Sequence, residues 1–171
     1  MPGFRVTKYD PAFRSSDGQY VRDDWTSIAD IGCAFGGRVL DVTEYLRTET
    51  AYVTAVRLFM NCARLSVLVI RDLQVNSAPV EDLAESTAER ISKVTDGTEV
   101  RGDDLDWIVR LALREAIWCR LEGSNGFYVH FGYDYYMYVG ATESGLAASK
   151  LPPGIFAEDF ESPWQREQDA R

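Results

Sequence analysis

Histidine is nearly missing from this chain: His130 is the only one among 171 residues. Nucleophilic catalysis of the Ser/His or Cys/His kind needs an imidazole base, so a single position would have to supply it. Cysteine is scarce as well. Cys33, Cys62 and Cys119 lack the spacing of a zinc finger, one histidine cannot complete a zinc site with them, and the D-x-D-x-D-G calcium loop does not occur. No metal site and no cofactor is expected. An odd number of widely spaced cysteines, two of them within helical patterns, predicts buried free thiols and suits a reducing compartment.

Long apolar runs are also missing. The longest aliphatic stretch, Leu65 to Ile70, is far too short to span a bilayer, and the first residues lack the apolar core of a signal peptide. The sequence therefore predicts a soluble, cytoplasmic protein. The glycine pairs Gly36-Gly37 and Gly123 to Gly126 lack the strand-to-helix spacing of phosphate-cradling loops and read as turns. Positive charge is in the minority, 18 Lys and Arg against 27 Asp and Glu, for a net charge of −9. Such a molecule repels phosphate backbones and anionic lipid surfaces, so neither nucleic acid nor membrane is an expected partner.

What is present is a globular composition, 46% hydrophobic and 12% aromatic, enough for one domain over residues 1–171 with 141–171 as a docked or partly flexible tail. Phe4 to Tyr9 reads as an extended piece fit for a sheet edge, and Trp25 to Gly32 as one helical turn capped at Thr26 or Ser27. Asp41, with Glu44 three residues on, opens a helix over 42–63, whose stripe is Leu46, Tyr52, Val53, Val56, Phe59, Met60 and Ala63. The β-branched run 65–70 predicts a buried strand. Helical spacing predicts further helices from Val80 to Thr95 and from Asp104 to Leu121, the last apolar nearly all round. Phe127 to Val139 alternates at period two, with Phe127, Val129, Phe131, Tyr135 and Met137 on one face and Tyr128, His130, Tyr136 and Tyr138 on the other. A hairpin with a three-residue turn at Gly132 to Asp134 keeps that sorting. Phe156, Phe160 and Trp164, four apart, suggest one or two helical turns docking back. The expected fold is α+β: three main helices packed on a small, mostly antiparallel sheet that includes the aromatic hairpin.

Two blocks of sequence carry a resemblance. Lys8-Tyr9-Asp10-Pro11, Asp24-Trp25-Thr26-Ser27 and Asp30-Ile31-Gly32 form one; Phe127 to Gly140, preceded by Trp118 and Leu121-Glu122, forms the other. Together they resemble a family of small, mostly uncharacterised bacterial proteins from toxin and immunity neighbourhoods. The resemblance implies an immunity-type role and transfers no catalytic residue.

Two functional readings follow. An acidic protein free of catalytic sets fits a non-enzymatic inhibitor that binds and neutralises another, basic protein, such as a bacterial toxin. Its nominated contact is the run of carboxylates Glu81, Asp82, Glu85 and Glu89 on the outer face of the second helix. Alternatively, Tyr128, His130, Tyr136 and Tyr138 line a pocket for a small molecule or form an interface, since aromatics with polar tips serve both uses. The adjacent acids Asp23-Asp24 and Asp103-Asp104 read as solvated loop and helix-cap residues rather than a general acid/base pair.

Overall fold

Cross-strand hydrogen bonding dominates the architecture. In the computed structural model, which describes residues 3–76, 89–140 and 147–164, seven strands form one sheet in which every pairing is antiparallel. They are β1 (Gly3–Thr7), β4 (Leu68–Val75), β5 (Glu99–Val100), β6 (Ile117–Glu122), β7 (Tyr128–Phe131), β8 (Met137–Gly140) and β9 (Phe156–Asp159), in the order β5-β4-β6-β7-β8-β1-β9. A separate two-stranded ribbon joins β2 (Ala34–Phe35) to β3 (Arg38–Val39). The two longer helices among the described residues are α1 (Val42–Cys62) and α2 (Gly102–Leu113).

The register sorts the side chains into rows. Ile70, Leu121, Val129, Val139 and Phe4 are successive partners across five strands, and this row joins the core beneath α1, where the Phe4 ring lies 6.1 Å from that of Phe59. On the opposite face, Arg71, Arg120, His130, Tyr138, Arg5 and Glu158 are successive partners. Period-two alternation thus gives one aliphatic row and one polar, aromatic row. The second face is roofed in its middle by residues 160–164, whose Phe160 and Trp164 rings lie 5.8 and 5.6 Å from Tyr138.

Asp41 caps α1 as its sequence predicts, Oδ1 accepting from the Glu44 amide at 2.8 Å. The two helices are pinned by Glu49, which is fully buried and accepts from both Arg110 and Arg114. Arg57 and Asp106 add a two-pronged pair on the same seam.

The expected fold class is overturned: a large antiparallel sheet, not a trio of helices, is the main body. Three local corrections account for it. Residues 104–121 do not form one helix; α2 stops at Leu113, Glu115 adopts a φ of 58°, and Ile117, Cys119 and Leu121 then alternate inward as β6. The same apolar residues satisfy both periods, and the left-handed residue between them decides. The tail contributes a strand at Phe156–Asp159 where helical turns were expected. The N-terminal piece lies inside the sheet, because β9 adds outside it. The expected helix Val80–Thr95 falls largely outside the described residues; 89–91 are helical.

The hairpin keeps its predicted sorting through a different turn. Phe131 pairs with Met137, two residues beyond the expected register, and an even shift leaves each side chain on its own face. Asp134 and Tyr135 both take left-handed φ values, 54° and 61°. Tyr135 is locked there: its carbonyl accepts from Tyr52 Oη at 2.5 Å, its hydroxyl donates to Tyr45 Oη at 2.8 Å, and Trp25 packs edge-on at 4.9 Å. Among the cysteines only Cys119 is buried; Cys62 is half-buried and Cys33 exposed, against the expectation of buried thiols.

Candidate functional site

Of the aromatic hairpin residues, the structure brings Tyr128, His130 and Tyr138 together. The His130 ring stacks on Tyr128 with centroids 4.3 Å apart, pairs across the strand with Tyr138 and is 1% exposed. Its Nδ1 lies 2.8 Å from Ser162 Oγ, and the Trp164 ring closes the end of the stack at 6.2 Å. Burial, reinforced by the Arg120 guanidinium across the strand pair, presses the imidazole down to about 3. Tyr136 stands apart in the loop after Phe131, where its hydroxyl accepts from Arg14 at 3.3 Å and its ring meets Tyr9 at 5.3 Å.

A serine beside a histidine invites comparison with a nucleophile and its base. The chemistry does not follow. Ser162 is fully buried and His130 nearly so, leaving no path for a substrate carbonyl to reach the hydroxyl. An imidazole held so far below neutral is also a weak acceptor for the serine proton. The contact instead fastens the 160–164 segment to the sheet.

Among the described residues, two of the larger clefts open elsewhere. One, of about 370 Å³, lies between Trp118, Trp164, Gln74 and Asn76; the other, of about 410 Å³, runs beside Lys8, Asp24, Glu44, Arg47 and Thr48. His130 lines neither of them. Lys8 looks at first like an amine offered to the second cleft, yet its Nζ is itself buried. It stands 3.0 Å from Asp24 Oδ2 and over the rings of Trp25 and Tyr9 at 4.1 and 4.3 Å. Burial lowers the ammonium pKa by more than Asp24 raises it. Lys8 therefore tethers the 24–25 loop to the end of β1, with the charge shared among a carboxylate and two ring faces.

Glu81, Asp82 and Glu85 lie outside the described residues. Glu89 is exposed and pairs with Lys93 at 2.7 Å, one turn along.

The structure assembles a different acidic region, which the sequence reading passed over. Residues 21–46 fold as a knot tied by backbone and cap bonds. Asp23 accepts from the Gly36 amide at 3.2 Å; Ser27 and Asp30 form a reciprocal capping box around a 3-10 turn; Gly32 donates to the Leu40 carbonyl and Leu40 to the Cys33 carbonyl. Asp41 then starts α1. These links place Asp23, Asp24, Asp30, Asp41 and Glu44 in one structural unit against Arg22 and Arg38. The signal is present in the sequence as acids at turn and cap positions, but the chain spreads them from position 23 to 44, and the turn, cap and ribbon bonds together tie those positions into one unit.

Comparison with protein-family models, with curated proteins and with solved structures found no match to this chain.

Proposed function

We propose that the protein is a non-enzymatic acidic inhibitor that binds and blocks a basic protein, in the manner of an immunity protein against a bacterial toxin. The observation that carries this is the acidic knot at residues 21–46, where the carboxylates of Asp23, Asp30 and Asp41 accept from backbone amides at turn and cap positions and Glu44 follows one turn into α1. Glu44 has Arg38 at 3.8 Å, a distant and exposed pair of little energy. A unit in which carboxylates outnumber arginines, on a protein of net charge −9, accelerates capture of an oppositely charged partner and orients it. The resemblance of the Lys8–Gly32 and Phe127–Gly140 blocks to proteins of toxin and immunity neighbourhoods supports the same function.

Small-molecule chemistry at His130 draws no support from the geometry, since the ring is enclosed by Tyr128, Tyr138, Ser162 and Trp164.

The test is affinity capture on the immobilised protein from its native host, at about 0.05 M and about 0.5 M salt. A saturable basic protein, released by salt, whose own activity is lost in the complex supports the function. Recovery of acidic partners alone, or of a basic partner that stays fully active when bound, overturns it.

A further inference from the structure

Apolar side chains surface where the acids gather. Among the described residues, Val21, Ile31, Val39, Val42, Leu46, Val75, Tyr133 and Phe160 are the large apolar side chains left exposed, and the first five fall between residues 21 and 46. Isolated exposed apolar residues are ordinary; their concentration in one unit is not. Val39 is 60% exposed, Val42 55%, Leu46 42% and Ile31 36%. Val42 and Leu46 stand one turn apart at the start of α1; Val42 shares the i, i+3, i+7 spacing of Tyr45 and Glu49, which are buried, yet both aliphatic residues stay exposed. Val39 sits on β3 three residues before Val42, and Ile31 borders the Gly32 to Leu40 hydrogen bond. Folding explains none of these exposures. The sequence pattern itself puts Leu46 in the buried stripe of α1, and the structure leaves it out.

We infer that Ile31, Val39, Val42 and Leu46 form the apolar centre of a docking surface whose rim is Asp23, Asp30, Asp41 and Glu44, and that its occupant is a basic protein presenting an apolar patch ringed by Arg or Lys. This rests on the inhibitor function proposed above and adds to it where the contact is made and how the work is divided. The charge complementarity decides the occupant: a second copy of this chain would bring the same carboxylates against themselves, at a cost in like-charge repulsion. The aliphatic centre, desolvated on binding, sets how slowly the complex dissociates, while the carboxylate rim sets how fast it forms.

The experiment uses the full chain and, as probe, the basic protein recovered by salt elution in the capture above. Val42→Ser with Leu46→Ser is compared with Asp23→Asn with Asp41→Asn, since Asn keeps the hydrogen bonds that those aspartates make at the Gly36 amide and the α1 cap. The serine pair should weaken binding about tenfold or more at both salt concentrations, through faster dissociation and with an unchanged melting curve. The asparagine pair should slow association several-fold at low salt and converge with wild type at high salt. Unchanged affinity in the serine pair, with the asparagine effect intact, overturns the apolar centre and leaves the inhibitor function standing. If no basic protein is captured, both fall. Should sedimentation instead show a wild-type dimer that the serine pair dissociates, the face belongs to a second copy and the basic partner is wrong.

Discussion

Tyr128 occupies the space that any side chain at position 140 would need: a Cβ on Gly140 would stand 2.0 Å from Tyr128 Cε1. The two residues are direct partners across β7 and β8. The glycine lets the phenol ring lie against the neighbouring strand, and from there it stacks on His130 and reaches toward Gly3, where an added Cβ would meet Tyr128 Oη at 2.9 Å. The aromatic stack and the segment that roofs it thus depend on a missing side chain.

Gly140→Ala should therefore destabilise the protein by about 1 to 3 kcal/mol, as overpacking does when the neighbour is a ring held by its own stack. Most of that cost should vanish in a Tyr128→Ala background, where the ring is gone. A double-mutant cycle from denaturant midpoints measures the coupling. Additive costs would mean that the ring swings aside freely and that the stack does not hold it.

His130 makes stability depend on pH in a defined window. Its folded pKa, lowered to about 3, lies below the unfolded value of 6.5. Above pH 6.5 both states are neutral at this site and its contribution is fully present; as pH falls, the unfolded chain takes up the proton first and stability drops until the folded value is reached. The loss should come to roughly 3 kcal/mol by about pH 4. Carboxylates titrate in the same range, so the quantity to measure is the difference between wild type and His130→Phe. That difference should slope between about pH 6.5 and 4, and parallel curves would show that the imidazole is not held neutral.

Glu49 is an enclosed carboxylate. It is fully buried between α1 and α2 and takes bonds from Arg110 and Arg114, with Arg114 Nε at 2.6 Å. Glu49→Ala leaves two guanidiniums facing a partly buried void, so the expected cost is about 3 to 5 kcal/mol. Urea denaturation followed by circular dichroism reads it directly. A loss below about 1 kcal/mol would mean that water enters the seam and screens the arginines as at a surface.

Local signals and global placement differed in how well the sequence exposed them. The cap at Asp41, the body of α1 and the inward face of Phe127, Val129 and Met137 were legible because each depends on residues close in the chain. The tail strand at 156–159 was not: it forms by pairing with β1, where Arg5 and Arg14 both bind Glu158, with Arg14 Nε at 2.9 Å, and those partners are more than 140 positions away. The acidic unit at 21–46 is hidden in the sequence for the same reason. Glu81, Asp82 and Glu85 form a conspicuous run in the sequence, whereas Asp23, Asp30 and Asp41 are tied into one unit only by the bonds of the 21–46 knot. His130 is the sole imidazole of the sequence, but its enclosed state depends on Ser162 and Trp164, which the sequence places in a distant tail.

The sharpest remaining contrast lies between two aliphatic residues that helical spacing treats alike. The sequence pattern puts Leu46 and Ile117 on buried helix faces; the structure puts Ile117 on β6 at 2% exposure and Leu46 on the open side of α1 at 42%. Ile117→Ala should cost about 2 to 5 kcal/mol, since it removes three carbons from beneath α2 in a well-filled core and leaves a cavity. Leu46→Ala should change stability by no more than about 0.5 kcal/mol, because alanine at least matches leucine in helix propensity and there is little burial to lose. Both are read from the same chemical denaturation series, so errors in extrapolation cancel in the comparison. Equal, large losses would place Leu46 in the core, and the docking surface built on it would disappear with that result.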